Sequence, residues 1–350
     1  MGKNLQYISF GQIDLNDPFF DTLKEDYSKF EKWFLKKIDN RAYVHYNVNN
    51  KLDGFLYLKN EGSRVDDTEP IIEGDKIVKI GTFKINPHGT RLGERFIKSA
   101  LDYAIKEEAA FCYVTIFEKH TVLVELLQKY GFAKYGTKKT DDGEELVLLK
   151  DLRIIMDNVL FDYPLVNSRN KRKFLLSIYP EYHSVMFPDS ILNNESTAIL
   201  KDVPYTNSIH KMYVCRMNGI DTLRNGDILV VYRTAEKDKS AEYSAVATSI
   251  CIVESVRSQN EFVNFEDFFK YACTYSVFDK MDLEKWYKKR GCYVIKMTYN
   301  IALKKRLTRH TLIESLGLPR DEYWGFMNIN EEQFNNILEA GEVNESIIIY

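Results

Sequence analysis

Closely spaced cysteines are absent from this 350-residue chain, and so are Cys/His clusters with metal-ligand spacing. The five cysteines, Cys112, Cys215, Cys251, Cys273 and Cys292, stand far apart. They read as reduced core thiols, which excludes a disulfide-framework fold and predicts no bound metal. No run of about 18 apolar residues occurs, so no membrane-spanning helix is expected. The opening stretch, MGKNLQYISF, lacks the apolar core of a signal peptide, and a cytoplasmic protein is expected. With 17 Gly, 8 Pro and no internal period, repeat arrays and long linkers are not expected. Positive charge is also short. The formal net charge is −3, so any nucleic-acid contact has to be a local patch.

What is present is apolar and aromatic. Apolar residues make up 45% of the chain, with 23 Tyr and 21 Phe, the composition of a folded globular protein. The length allows two cores. The pattern loosens between Asp151 and Lys173, and residues 1–160 and 161–350 are expected as two domains of α+β class. In the first, Asp17-Pro18 opens a helical pattern. Phe19, Phe20, Leu23, Tyr27, Phe30, Trp33 and Phe34 recur there at three and four, a stripe read as core. Ala42 to Tyr46 and Gly54 to Leu58 read as a strand pair about the Asn49-Asn50 turn. Residues 62–74 are acidic and polar and are expected as a mobile loop. Its Asp66, Asp67, Glu69 and Glu73 either attract a cationic acceptor or are simply solvated.

The stretch from Lys79 to Gly131 carries the most information. Apolar Ile77, Ile80, Phe83 and Ile85 lead as a strand into His88-Gly89-Thr90-Arg91-Leu92-Gly93. Phe96, Ile97, Ala100, Leu101 and Ala104 then recur at helical spacing. Phe111 to Phe117 reads as a further strand and Thr121 to Tyr130 as a helix closing on Gly131-Phe132. A strand-loop-helix junction presents backbone N–H groups that can hold an anion.

This succession resembles the acetyl-CoA-binding core of the GNAT acetyltransferases. Their loop reads Arg/Gln-x-x-Gly-x-Gly/Ala. Gly93 keeps the last glycine, while His88 stands at the first position and Arg91 at the middle glycine. The resemblance implies a mixed sheet flanked by helices, with acetyl-CoA as cofactor. Amides of residues 88–93 would face its diphosphate, and Arg91 would add a charge-assisted contact. The thioester arm would lie along the strand ending at Ile85. Phe83, Ile85, His88, Gly89, Thr90, Arg91, Leu92 and Gly93 are therefore the expected cofactor contacts. The tyrosine that many members place four residues before the closing glycine is Leu127 here. His120 and Glu118 are the nearest titratable candidates for a catalytic role, and His120 reads also as a helix cap or surface residue.

Downstream, residues 168–173 form a basic run, either a solvated connector or a phosphate contact. Ile209 to Cys215, Asp227 to Arg233, Tyr243 to Val256 and Cys292 to Tyr299 read as strands. Phe265 to Tyr271 reads as a helix capped by Asn264. A small barrel with inserted helices is expected. Tyr213-Val214-Cys215, the phrase from Leu223 through Gly226-Asp227 to Tyr232-Arg233, and Ala245 to Thr248 resemble the PUA-like superfamily, which includes the ASCH and EVE domains. That resemblance implies RNA or a modified base bound in a cleft lined by Lys211, Arg233 and Thr248. Arg233 reads equally as an ion-pair partner at a barrel edge. Trp286 to Arg290 mixes aromatic and cationic side chains, suited to base stacking or to a helix end. Lys304, Lys305, Arg306 and Arg309 extend the local positive character.

The pair of resemblances is similar to toxin-type bacterial acetyltransferases. It implies N-acetylation of an amine on RNA, aminoacyl-tRNA or an RNA-associated protein, with RNA or tRNA and a neutralising protein as partners. Two other readings stay open: a nucleic-acid or modified-base reader with a degenerate N-terminal half, and a protein or small-amine acetyltransferase with a partner-docking barrel.

Overall fold

A computed structural model describes residues 5–47, 49–86, 91–187 and 208–350. The chain forms two compact units that divide between Ile154 and Ile155, slightly before the expected boundary.

The N-terminal unit is a seven-stranded mixed sheet with helices. Its strands are β1 (Gln6–Ser9), β2 (Arg41–Tyr46), β3 (Leu52–Asn60), β6 (Ile77–Ile85), β7 (Phe111–Ile116), β9 (Gly143–Asp151) and β8 (Ala133–Thr140), in that spatial order. Two short strands, β4 (Arg64–Val65) and β5 (Ile72–Glu73), pair separately. The helices are α1 (Asp21–Asp26), α2 (Phe30–Leu35), α3 (Leu92–Lys106) and α4 (Thr121–Lys129). Apolar spacing sets α3: Phe96, Ile97, Ala100, Leu101 and Ala104 are all buried.

Two expectations are corrected here. The stripe from Phe19 to Phe34 is core, as Phe19, Phe20, Phe30 and Phe34 are buried together. It is not one helix, however. Tyr27 turns extended (φ −131, ψ 98) and separates α1 from α2. Its hydroxyl donates to Glu145 Oε1 at 2.8 Å, and its ring stacks on Phe117. Ser28 N–H donates to Asp142 Oδ1 at 3.1 Å. Tertiary partners thus outbid a few tenths of a kcal/mol of local propensity. Residues 62–74 are likewise not a mobile loop. The β4–β5 ribbon buries Val65 and Ile72, and Glu69 bridges to Thr137 on β8. Its charges are used within the chain: Arg64 pairs with Asp66 and Glu73, and Lys138 pairs with Asp67.

The C-terminal unit is built on a six-stranded sheet. Its order is β12 (His210–Cys215), β15 (Tyr293–Thr308), β14 (Val246–Ser258), β13 (Ile228–Arg233), β11 (Lys173–Ile178) and β16 (Phe326–Ile329). A further pair joins β10 (Val166–Asn167) to β17 (Ile348–Ile349). Its helices are α5 (Val159–Asp162), α6 (Pro180–Met186), α7 (Ala241–Ser244), α8 (Phe265–Ala272), α9 (Lys280–Lys289), α10 (Arg309–Glu314) and α11 (Glu331–Ala340). Register shifts along β14 and β15 bend this long central antiparallel pair.

A small barrel was expected, and among the described residues its strands form a sheet that does not close. β11 lies parallel to β13 and takes β16 on its other side, so β12 and β16 end the order unpaired with each other among the described residues. The chain is α+β throughout. Among the described residues no helix is long and apolar enough to cross a membrane.

Candidate functional site

The feature that opens a site in the N-terminal unit is the divergence of β6 from β7. The two strands run parallel only over Ile77–Ile80, paired with Phe111–Val114. Against β3, the register slips at the same point: Leu58 opposes Ile80 and Tyr57 opposes Thr82, so Gly81 is a bulge. A Cβ at Gly81 would lie 2.8 Å from Tyr57 Cδ1, so glycine lets that ring rest on the backbone. Beyond the bulge β6 follows β3 to Ile85, while β7 follows β9 to Ile116. The main chain of residues 82–85 is left without a strand neighbour on its β7 side among the described residues. Such an edge can pair with an extended ligand arm.

The bulge also decides which way the side chains point. Phe83 meets Phe96 of α3 edge-on at 5.7 Å, and Ile85 reaches the same helix at Gly93. Lys84 turns the other way, bonding Thr22 Oγ1 and lying 5.3 Å from the Phe19 ring. Burial holds its ammonium below the usual lysine range.

At the start of α3, Arg91 is the N-cap in left-handed backbone (φ 54, ψ 26). Leu92 is buried, and the amides of Leu92 and Gly93 have no intrahelical acceptor. His88, Gly89 and Thr90 lie outside the described residues. Gly93 was expected to let backbone approach phosphate. The structure also gives it a packing role, because a Cβ there would sit 2.7 Å from Leu126 Cδ2 and 3.2 Å from Ile85 Cδ1. Next to it, Glu94 is buried and accepts from Lys129 Nζ at 2.8 Å and from Tyr130 Oη at 3.1 Å. Tyr130 is itself fully buried.

The catalytic candidates separate clearly. His120 stands at the N-cap of α4 without a side-chain cap bond. Its Nε2 lies 2.9 Å from Asp26 Oδ2, and Lys119 pairs with the same carboxylate. Glu118 is exposed and does not join this group. Asp26 and Tyr27 are carried in by the break between α1 and α2, and Glu145 comes from β9, one residue before its first pairing with β7. Burial, with Glu145 beside it, pushes the Tyr27 phenol far up, so it stays a neutral donor. Sequence reading missed Asp26, Tyr27, Lys84 and Glu145. Only the interruption of a helical stripe at Tyr27 could have signalled them, and nothing local marks that interruption.

In the C-terminal unit the three expected cleft residues are buried rather than lining an open groove. Lys211 and Thr248 are 0% exposed and Arg233 is 2% exposed. Thr248 is the bulged residue between Ala247 and Ser249, and its Oγ1 meets His183 Nε2 at 2.8 Å. His183 comes from α6 and is fully buried. Burial, aided by Arg233 and Arg306, pushes its imidazole down to about 3, so it is neutral. Arg233 donates to Glu236 Oε1 at 3.0 Å. Lys211 Nζ lies 5.5 Å from the Tyr299 ring and 5.7 Å from the Phe187 ring. The structure therefore gathers His183, Thr248 and Arg233 into one buried polar cluster. The basic run is also internally satisfied: Lys173 bonds Ser168 O, Lys171 O and Glu331, while Arg172 pairs with Asp227.

No protein-family model matches the sequence, and no curated protein matches it. Solved structures do. An ASCH protein from Zymomonas mobilis matches at 7% identity, covering 48% of this chain and 94% of its own, with a TM-score of 0.32. Ard1 from Thermoplasma volcanium matches at 11% identity, covering 42% and 96%, with a TM-score of 0.32. A GNAT-family acetyltransferase from Streptococcus agalactiae matches at 13% identity, covering 43% and 97%, also with a TM-score of 0.32. The chain is similar to both an ASCH protein and GNAT acetyltransferases. At TM-scores this low, similarity carries no function across.

Proposed function

We propose that the N-terminal unit is an acetyl-CoA-dependent N-acetyltransferase. The carrying observation is the main-chain edge of residues 82–85, released from β7 by the Gly81 bulge and leading toward the start of α3. An extended pantetheine arm suits that edge, and the amides at the head of α3 suit a diphosphate. Bound acetyl-CoA would supply the thioester carbonyl that an amine attacks, with the C–N bond forming as the C–S bond breaks. His120, held by Asp26, would take the proton from the acceptor amine. Lys84 and Tyr27 would flank that acceptor with a cation and a neutral donor.

The acceptor we infer is an amine on RNA, aminoacyl-tRNA or an RNA-associated protein, presented by the C-terminal unit. Support comes from the exposed Lys289 and Arg290 beside Trp286 at the end of α9, cations and an aromatic ring suited to phosphate and base. A second reading takes the irregular loop, with His88 and Arg91 in place of the usual residues, and Leu127 in place of the tyrosine as signs that acyl transfer has been lost. On that reading the chain binds nucleic acid without transferring an acyl group. Calorimetry of the full chain with acetyl-CoA and CoA separates the two. Saturable binding, with label passing from acetyl-CoA to an RNA or aminoacyl-tRNA pool, is the expected result. Absence of binding to both ligands overturns the transferase reading, and transfer to protein or small amines alone overturns the RNA acceptor.

A further inference from the structure

A cavity of about 580 Å³ opens in the C-terminal unit beside the edge strand β16, and none of His183, Lys211, Arg233 or Thr248 lines it. Its floor is a stacked pair, Phe174 and Phe326, with centroids 4.9 Å apart and planes 13° from parallel. Phe326 and Asn328 are two residues apart on β16, so both project to the same face of the strand. Tyr323 forms a wall and is 59% exposed. Its ring lies against Gly325, where an added Cβ would come within 2.2 Å of Tyr323 Cζ. Glycine at 325 therefore sets the place of the ring and leaves its outer face to solvent.

The polar groups narrow the ligand. Asn218 and Asn328 line the cavity and are exposed, and neither carboxamide bonds another group among the described residues. Arg172 is the one charged lining residue, and two of its three guanidinium nitrogens are bonded within the chain. Its Nε donates to Asp227 Oδ1 at 3.0 Å, and its second nitrogen donates to Thr222 O at 2.7 Å and to the same carboxylate. Its guanidinium also lies 5.3 Å from the Phe174 ring. A phosphate or carboxylate would thus meet a single cation, and one already paired with Asp227. An aliphatic ligand would leave two carboxamides with donors and acceptors unused. A flat, uncharged ring with a polar edge uses every group present, and the volume lies within the range of small-ligand sites.

We propose that this cavity binds an unpaired nucleobase, its ring stacked on Tyr323 and its edge bonded by Asn218 and Asn328. The inference does not depend on acyl transfer. It is tested by calorimetric titration of the full chain with adenosine, uridine, ribose 5-phosphate, and short adenylate and uridylate single strands. At least one nucleoside is expected to saturate, and ribose 5-phosphate is not. Tyr323→Ala and Gly325→Ala each weaken binding by about tenfold or more, the second by displacing the ring without removing it, at unchanged melting temperature. If the single strands bind more tightly than the nucleosides and show the same losses, the base arrives within RNA. If they do not, the ligand is the nucleoside itself, and both results support the proposal. No saturation by any base-containing probe, equal binding of ribose 5-phosphate, or binding indifferent to both variants overturns it.

Discussion

Asp26 Oδ2 lies 2.9 Å from His120 Nε2, joining the end of α1 to the start of α4. Neither residue is near the other in sequence, and the contact exists because the chain leaves the helix at Tyr27. A carboxylate at that distance fixes the orientation of the ring, as a base for amine attack requires.

This pairing gives the first expectation. His120→Gln lowers the rate of acyl transfer by about a hundredfold or more, within the range of general acid–base contributions. Asp26→Asn produces a smaller loss in the same direction. Acetyl-CoA affinity, measured by calorimetry, is unchanged in both variants. A His120→Gln chain with full transfer activity removes His120 from the chemistry.

Tyr130 is expected to have no part in the transfer. Its hydroxyl is buried against Glu94, which also holds Lys129. Tyr130→Phe therefore costs about 1 kcal/mol of stability by denaturant unfolding and leaves the transfer rate intact. A large fall in rate at unchanged stability would make Tyr130 the missing proton donor.

Packing at Gly93 can be checked by a double variant. Gly93→Val forces a side chain into the space of Leu126 and Ile85 and destabilises the N-terminal unit by about 1–3 kcal/mol. Adding Leu126→Ala recovers part of that loss, because the two sites share one volume. Strictly additive losses in urea unfolding would show that the contact is not the cause.

His183 predicts an acid sensitivity. Its folded value of about 3 lies below the ordinary 6.5, because burial disfavours the charged ring. Above the ordinary value both folded and unfolded forms are neutral, and His183 adds no pH dependence. As pH falls from 6.5 toward 3, the unfolded chain takes up a proton that the folded chain refuses. Stability then drops by up to about 1.4 kcal/mol per pH unit from this group alone. His183→Gln is expected to flatten that part of the stability–pH curve, measured by melting temperature. A curve unchanged by the substitution sinks the assignment.

Much of the framework was legible because it depends on local pattern. The spacing of Phe96, Ile97, Ala100, Leu101 and Ala104 specified a buried helix face, and α3 buries all five. The strands from Phe111 and from Ile228 follow from apolar runs bounded by turns. Alternation was less useful for β8, where Ala133–Thr140 has no buried residue and carries no apolar face to read. β16 is too short to show a period. The open C-terminal sheet was also out of reach, since closure depends on which edge strands meet, and strands such as β14 and β15 bend through register shifts set by their partners.

The sequence by itself determined the apolar periodicities, the turns and hence the succession of strands and helices, because each is a matter of neighbours a few residues apart. Only the tertiary structure decided where β6 leaves β7, that Tyr27 leaves the helix for Glu145, and that Lys211, Arg233 and Thr248 are buried. Those outcomes are settled by partners tens of residues away. A bulge, an ion pair or a buried cation is a relation between distant segments, and no single stretch of chain carries it.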